Sequence, residues 1–342
     1  MKAPEASINE DPIVLVRGKF APLHAGSVMV LDFARGLGRG QLWILLDDCD
    51  SVVEAELKRC LNKTSQSKNE RALSSSFADC ITEAAPGAKL FRLSQTDNLE
   101  ELLPGRPDVV VGSDAEDREL ADRLNCAFIP VDPQRGLIPV QGKSLRQDPL
   151  NHWQWIYPGV RSQFVRRVCI FGPESTGKST LARNLAEHFN TVSVPEWART
   201  MLESRDNELR EEDLPIFARG HAALEDAMAR EADRLLFCDT DAITTLIWSE
   251  WLYEGRCHPE IRRLADERLY DLYLLTDVDV PWVEDPQRYL PTKRKEFHQR
   301  CVEELNKREI AFVEIKGGWN ERLATAIAAV EAAFLSEKAV RH

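Results

Sequence analysis

Gly172-Pro173-Glu174-Ser175-Thr176-Gly177-Lys178-Ser179 follows the apolar run Val168–Phe171 and precedes Thr180–Ala186, whose pattern is helical. Strand, glycine-framed turn and helix start together form an anion cradle. Backbone N–H groups converge on the phosphates, and the helix N-terminus adds positive potential. In the pattern GxxxxGK[ST], Lys178 reaches the β- and γ-phosphates and Ser179 holds Mg²⁺. Gly172, Glu174, Ser175, Thr176, Gly177, Lys178, Ser179 and Thr180 are therefore the expected contacts of a nucleoside triphosphate. The loop binds ATP or GTP, and the chemistry done with it must be read elsewhere. No GTPase base-recognition sequence (NKxD) follows the later strands, which favours ATP.

The loop opens the second of two α/β blocks. The first has apolar runs at 13–16, 42–46, 89–93, 108–111 and 127–131, the second at 168–171, 192–194, 235–238, 272–275 and 312–315. Helical patterns fill the gaps, among them 28–35, 115–124, 215–234, 259–270 and 320–336. Such alternation argues for an α/β protein with two doubly wound parallel sheets. Domains are expected at 12–148 and 166–338. Between them 149–165, rich in Pro and Trp, reads as a packed connector. The polar, Ser-rich stretch 62–76 reads as a mobile loop or a frayed helix start.

Composition sets bounds. The 342 residues fit two ordinary domains, and 43% hydrophobic content supports real cores. A net charge of −12 argues against a general nucleic-acid surface. Eight cysteines lack any CxxC pair, and several sit in apolar runs, so reduced thiols in the cytoplasm are expected. No apolar stretch approaches membrane-spanning length, and the first residues lack a signal-peptide core.

Other residues narrow the second block. Phe237-Cys238-Asp239-Thr240-Asp241 ends a strand with two carboxylates on the side that faces the phosphate loop. Asp239 is read as a magnesium-water holder and Asp241 as a partner for a substrate hydroxyl. For Asp241 an N-cap is an equally physical role. Glu196 and Arg199, after the preceding strand, point toward the same edge, or form a surface pair. Pro281–Arg288 and Arg294 read as a lid whose Arg288 and Arg294 neutralise a transferring phosphoryl group. Trp282 and Tyr289 are candidates to sandwich a flat ring, with plain packing the alternative.

In the first block Gly18-Lys19-Phe20-Ala21-Pro22-Leu23-His24-Ala25-Gly26-Ser27 looks like the GxFxPxHxGH signature of the cytidylyltransferase-like adenylyltransferases. His24 matches the first histidine of that motif, but Ser27 stands at the second. A serine donates a hydrogen bond yet carries no charge. Val140-Gln141-Gly142-Lys143-Ser144-Leu145-Arg146 resembles ISGTxxR: Gly142 and Arg146 match, while Gln141 and Lys143 depart.

The order of these parts, with Arg146-Gln147-Asp148-Pro149 and Trp153 between the blocks, resembles one family from about Val14 onward. It is the bifunctional nicotinamide-mononucleotide adenylyltransferase and ribosylnicotinamide kinase family of NadR type. The resemblance implies a nucleotidyltransferase-like Rossmann domain followed by a P-loop kinase domain. It implies phosphorylation of nicotinamide riboside by Mg-ATP in the second domain and adenylylation of the mononucleotide to NAD in the first. Under it Lys178, Asp239, His24 and Arg146 are the catalytic set. Gly18, Lys19, Phe20, His24, Gly26, Arg288 and Arg294 join the loop in holding ATP. Glu196, Arg199, Asp241, Trp282 and Tyr289 hold the acceptor, and Ser179 and Asp239 the Mg²⁺. Some family members carry an N-terminal helix-turn-helix domain, for which the dozen residues before the first strand are too few, so no nucleic-acid partner is expected. Homo-oligomers are permitted by the resemblance. Two rival readings stay open: a kinase with a degenerate first domain, and a nucleotide-sensing module that regulates a partner such as a vitamin transporter.

Overall fold

The computed structural model describes residues 10–39, 41–47, 56–57, 79–94 and 98–335. The stretch 62–76 and the end of the last expected helix lie outside the described residues. Two compact units emerge, divided between Arg161 and Ser162. Residues 149–161 group with the first unit: Ile156 bridges His24, and the Tyr157 N–H donates to the Leu23 carbonyl at 3.1 Å.

The first unit holds β1 (Val14–Gly18), β2 (Leu42–Asp47), β3 (Lys89–Leu93), β4 (Val109–Gly112) and β5 (Ala127–Pro130). All pair in parallel, in the order β3-β2-β1-β4-β5. The two-residue period of a strand splits its core. Val14, Val16, Leu42 and Ile44 meet the helix Ala25–Leu37 on one face, while Leu15, Trp43, Leu45 and Val110 meet Leu120 and Ala121 on the other. Strands buried on both faces read as continuous apolar runs, which is why they stand out in the sequence. The order reverses between β1 and β4, so a crevice opens at the C-terminal ends of those two strands.

The second unit holds β6 (Arg166–Phe171), β7 (Val192–Val194), β8 (Leu235–Asp239), β9 (Leu272–Thr276) and β10 (Phe312–Ile315), all parallel, in the order β10-β9-β6-β8-β7. Val168, Ile170, Phe237 and Leu274 pack against Leu181 and Leu185 of the helix Lys178–His188 and against Ala326 and Val330 of the helix Trp319–Phe334. Each fully buried side chain of this kind is worth roughly 1.5–3 kcal/mol relative to exposure. The central strand β6 thus delivers its C-terminus, and the loop after it, between β8 and β9. Among the described residues no helix is long and apolar enough to cross a membrane.

Candidate active sites

In the second unit the loop after β6 takes the shape its glycines allow. Gly172 has φ of 134°, and a Cβ there would lie 2.5 Å from Thr276 Oγ1. Gly177 has φ of 83° and Ser175 φ of 57°, so successive N–H groups turn inward. Thr176 locks the turn from beneath: its hydroxyl donates to the Pro173 carbonyl at 2.7 Å and meets Thr276 Oγ1 at 2.7 Å. The Lys178 ammonium donates to the Pro173 carbonyl at 2.8 Å and so spans the two ends of the loop. Ser179 and Thr180 stand exposed at the start of the helix.

This loop forms one wall of a cleft of about 320 Å³. Glu174 to Thr180, Glu196, Arg199, Asp241, Arg288 and Tyr289 all line it. Glu196 is half-buried; burial pushes its carboxyl up, Lys178 pulls it down, and neighbouring Asp239 pushes it up again. Asp239 itself lies just behind the wall, 2% exposed, in register with Ile170. Its Oδ1 is buried and has no protein partner. An orphaned carboxylate oxygen costs stability unless something else meets it, which marks a place for a water or an ion. Thr240, between the two acids, has φ of 78°, a strained value for a β-branched residue.

Asp241 departs from expectation. Its Oδ1 accepts from the Thr244 N–H at 2.8 Å and the Thr244 hydroxyl at 3.1 Å, and its Oδ2 accepts from the Tyr273 hydroxyl at 3.1 Å. One oxygen caps the helix Ala242–Leu252 and the other is held by Tyr273, so a structural role describes this residue better than a grip on substrate. Burial raises its pKa to about 6.

The lid is latched to the phosphate loop. Glu174 Oε1 accepts from the N–H groups of Tyr289 and Leu290, and Ser175 Oγ accepts from the Val283 N–H at 2.8 Å. Arg199 pairs with Asp285 through two contacts at 2.9 and 3.1 Å. Arg288 reaches Ser175 Oγ at 3.5 Å and the Val283 carbonyl. Arg294 is committed to backbone: it donates to the Ser175 and Val280 carbonyls at 3.1 and 3.0 Å and does not line the cleft. Trp282 also stays outside the cleft, with the Arg294 guanidinium 5.6 Å from its ring centre. Trp248 joins Tyr289 in the cleft, their ring centres 6.4 Å apart at 76°. Asp241, Thr244, Thr245 and Trp248 follow one helical stripe of i, i+3, i+4, i+7, a signal available in the sequence. His221 and Phe217 also line the cleft, and no motif marked them.

In the first unit a cleft of about 310 Å³ opens at the ends of β1 and β4. Gly18, Lys19, Phe20, His24, Gly26, Ser27, Gly142, Lys143 and Arg146 line it together. His24 caps the helix Ala25–Leu37: its Nδ1 faces the Ser27 N–H at 3.4 Å and its Nε2 lies 3.1 Å from Ser27 Oγ. That network assigns the proton to Nε2. Burial, with Arg135 and Arg146 nearby, lowers the His24 pKa to about 4, so the ring is neutral near pH 7. A neutral ring serves a phosphate as a hydrogen-bonding partner. Arg146 donates to Glu56 Oε2 at 2.7 Å and to the Ala21 carbonyl at 2.6 Å. Arg135, Asp114 and Asp117 also line this cleft, and sequence reasoning missed all three. Arg135 is fixed to Asp114 at 2.7 and 2.9 Å, and Asp117 accepts from the Ser113 and Asp114 N–H groups.

Among the described residues no cluster of three or more His, Cys, Asp or Glu forms a metal cage. Mg²⁺ does not require one, since it keeps most of its water.

Comparison with known proteins adds an independent line. A family model described as an AAA domain matches residues 167–322. The trifunctional NAD biosynthesis/regulator protein NadR of Escherichia coli is 36% identical over 218 residues, which cover 62% of this chain and 53% of that protein. The same protein of Salmonella typhimurium is 36% identical over 214 residues, covering 61% and 52%. The chain therefore spans about half the length of the curated relatives it matches. A NadR protein crystallised with NR superposes with a TM-score of 0.73 at 23% identity, over 97% of this chain and 98% of that one. A NadR crystal structure with NAD and AMP-PNP gives 0.70 at 22% identity, over 96% and 98%. By sequence over about three fifths of its length and by fold over nearly all of it, this chain is similar to the NadR proteins.

Proposed function

We propose that the second unit phosphorylates the 5′-hydroxyl of nicotinamide riboside with Mg-ATP. The observation that carries this reading is the cleft in which the phosphate loop, Glu196 and an aromatic pair face a common space. The N–H groups of residues 174–179 and the Lys178 ammonium bind the triphosphate and neutralise charge that grows on the transferring group. Ser179 and the orphaned Asp239 oxygen suit Mg²⁺ and its waters, which supply further neutralisation of the phosphates. Glu196 lies on the wall with a raised pKa, so it is better placed than Asp239 to take the proton of the attacking hydroxyl. Trp248 and Tyr289 flank the nicotinamide ring, replacing Trp282 in that part. Arg288 and the latched lid exclude water from the reaction.

The first unit joins the resulting mononucleotide to the adenylyl group of a second ATP. Its cleft gathers Lys19, Lys143, Arg135 and Arg146 against Asp114 and Asp117, a net positive lining suited to a triphosphate. A neutral His24 tied to Ser27 argues for slow turnover there. The substrates are thus ATP, nicotinamide riboside and its mononucleotide. Buried, uncrosslinked Cys169, Cys238 and Cys301 support a reducing, cytoplasmic setting.

The test is to incubate the chain with nicotinamide riboside or its mononucleotide, each with Mg-ATP, and identify products by mass. The expected outcome is the mononucleotide from the first mixture and NAD, more slowly, from the second. Absence of any phosphorylated riboside would sink the kinase reading, and absence of NAD alone would leave a kinase with a silent first unit.

A further inference from the structure

Trp319 is more than half exposed, at 57%, yet it is pressed onto the phosphate loop. A Cβ on Gly177 would lie 2.4 Å from its Cζ3 and 2.8 Å from its Cη2, so the six-membered ring rests on the loop backbone where only glycine fits. The ring is held there firmly. Trp319 opens the helix Trp319–Phe334, and one turn on, Arg322 is 2% exposed. Arg322 donates to the Thr176 carbonyl at 3.1 Å, the Asp277 carbonyl at 3.0 Å and the Gly317 carbonyl at 2.9 Å. The Gly317 and Gly318 N–H groups are fastened to Asp279 and Glu321 at 2.7 and 2.8 Å. The helix start is therefore tied to the residue next to Gly177, which sets the indole beside the loop. Gly177 meets the indole at its six-membered ring and the Arg322 guanidinium stands 6.0 Å from the ring centre, yet more than half of the residue stays exposed. The two residues before it are glycines, which leave no side chain beside the ring.

We propose that the outer face of Trp319 is the platform on which the base of the phosphoryl donor stacks while the loop holds its phosphates. The acceptor cleft has its own aromatic pair, Trp248 and Tyr289, and Trp319 is not part of that cleft, so its surface is available to the donor. Stacking uses the π-face that every base has and reads no hydrogen-bond pattern. The site as described therefore favours any purine nucleoside triphosphate over a bare polyphosphate, with little discrimination between purines. This proposal rests on the triphosphate-binding reading of the loop, and the experiment separates the two.

Binding of ATP, GTP and inorganic tripolyphosphate, each with Mg²⁺, is measured by calorimetry on the full chain and on its Trp319→Ala and Trp319→Phe variants, with Lys178→Ala run in parallel so that the heat lost in it identifies the second unit's site. Trp319→Ala is expected to weaken ATP and GTP alike by about 10- to 100-fold. Tripolyphosphate affinity should be unchanged, which also reports an intact loop, and Trp319→Phe should stay within about threefold of the parent. Equal losses for ATP and tripolyphosphate would show that the ring only supports the loop, and unchanged ATP affinity would show that the base sits elsewhere; either overturns the proposal. If the parent binds none of the three ligands, the reading of the loop itself fails.

Discussion

Lys178 bridges the ends of the phosphate loop and is the cation best placed for the β- and γ-phosphates. Removing one preorganised donor of this kind costs on the order of 100- to 1,000-fold in turnover. Lys178→Ala is expected to lose that much nicotinamide riboside phosphorylation with its melting temperature nearly unchanged. Unaltered turnover in this variant would remove Lys178 from the mechanism. Glu196→Gln should fall by a comparable 100- to 10,000-fold if Glu196 takes the proton, whereas a merely structural Glu196 would leave kcat intact. His24 sets a different test. Its pKa is depressed from 6.5 to about 4 by burial and the two nearby arginines. Between those values the unfolded chain binds a proton that the folded chain refuses, so stability falls as pH drops through that window. The slope is about 1.4 kcal/mol per pH unit for one proton. His24→Asn should flatten that part of the stability profile of the first unit, and an NMR titration should place the imidazole near pH 4. A midpoint near 6.5 would contradict the buried, neutral ring.

At the scale of elements, caps and latches decide what the side chains are free to do. Asp241 caps the helix Ala242–Leu252, and Tyr273 meets its second oxygen. Asp241→Ala is expected to destabilise the second unit by about 1–2 kcal/mol, and Asp241→Asn, which keeps an acceptor at the cap, by much less. Equal losses in calorimetric melts would show that charge, not capping, is what matters there. The lid hangs on Glu174, which accepts two lid N–H groups. Glu174→Ala should speed amide exchange at Tyr289 and Leu290 about tenfold, the effect of roughly 1–1.5 kcal/mol of lost hydrogen bonding. Unchanged protection would mean that packing, not the latch, holds the lid. Trp282 and Arg294 illustrate why lid residues were misread. In the sequence they stand beside Arg288 and look equivalent to it, but a lid has two sides. Arg294 is spent on two carbonyls with the Trp282 ring beside it, and neither lines the cleft.

At the scale of the whole chain, the two clefts are built on separate sheets, and their chemistry should be separable. Lys178→Ala should cut phosphorylation about 100- to 1,000-fold and spare adenylylation of the mononucleotide, while Arg146→Ala should do the reverse. Loss of both activities from either change, with folding intact, would contradict two independent sites. The central strands β1, β2, β4, β6, β8 and β9 were legible because a parallel strand covered on both faces leaves an unbroken apolar run, while the partly buried edge strands were legible as short, mixed runs in the same alternation. The phosphate loop was legible because its residue types are dictated by backbone geometry: Gly172 and Gly177 occupy left-handed conformations that exclude side chains. Those constraints are local, so the sequence alone determined them. Which acid is spent on a cap, which tryptophan enters the cleft, and how far His24 is desolvated depend on neighbours distant in the chain. Tyr273 lies 32 residues from Asp241, and Arg135 and Arg146 reach the cleft of His24 from a distant stretch of the chain. Only the tertiary structure decided these, because burial and electrostatic environment are properties of packing and are not carried by any single segment.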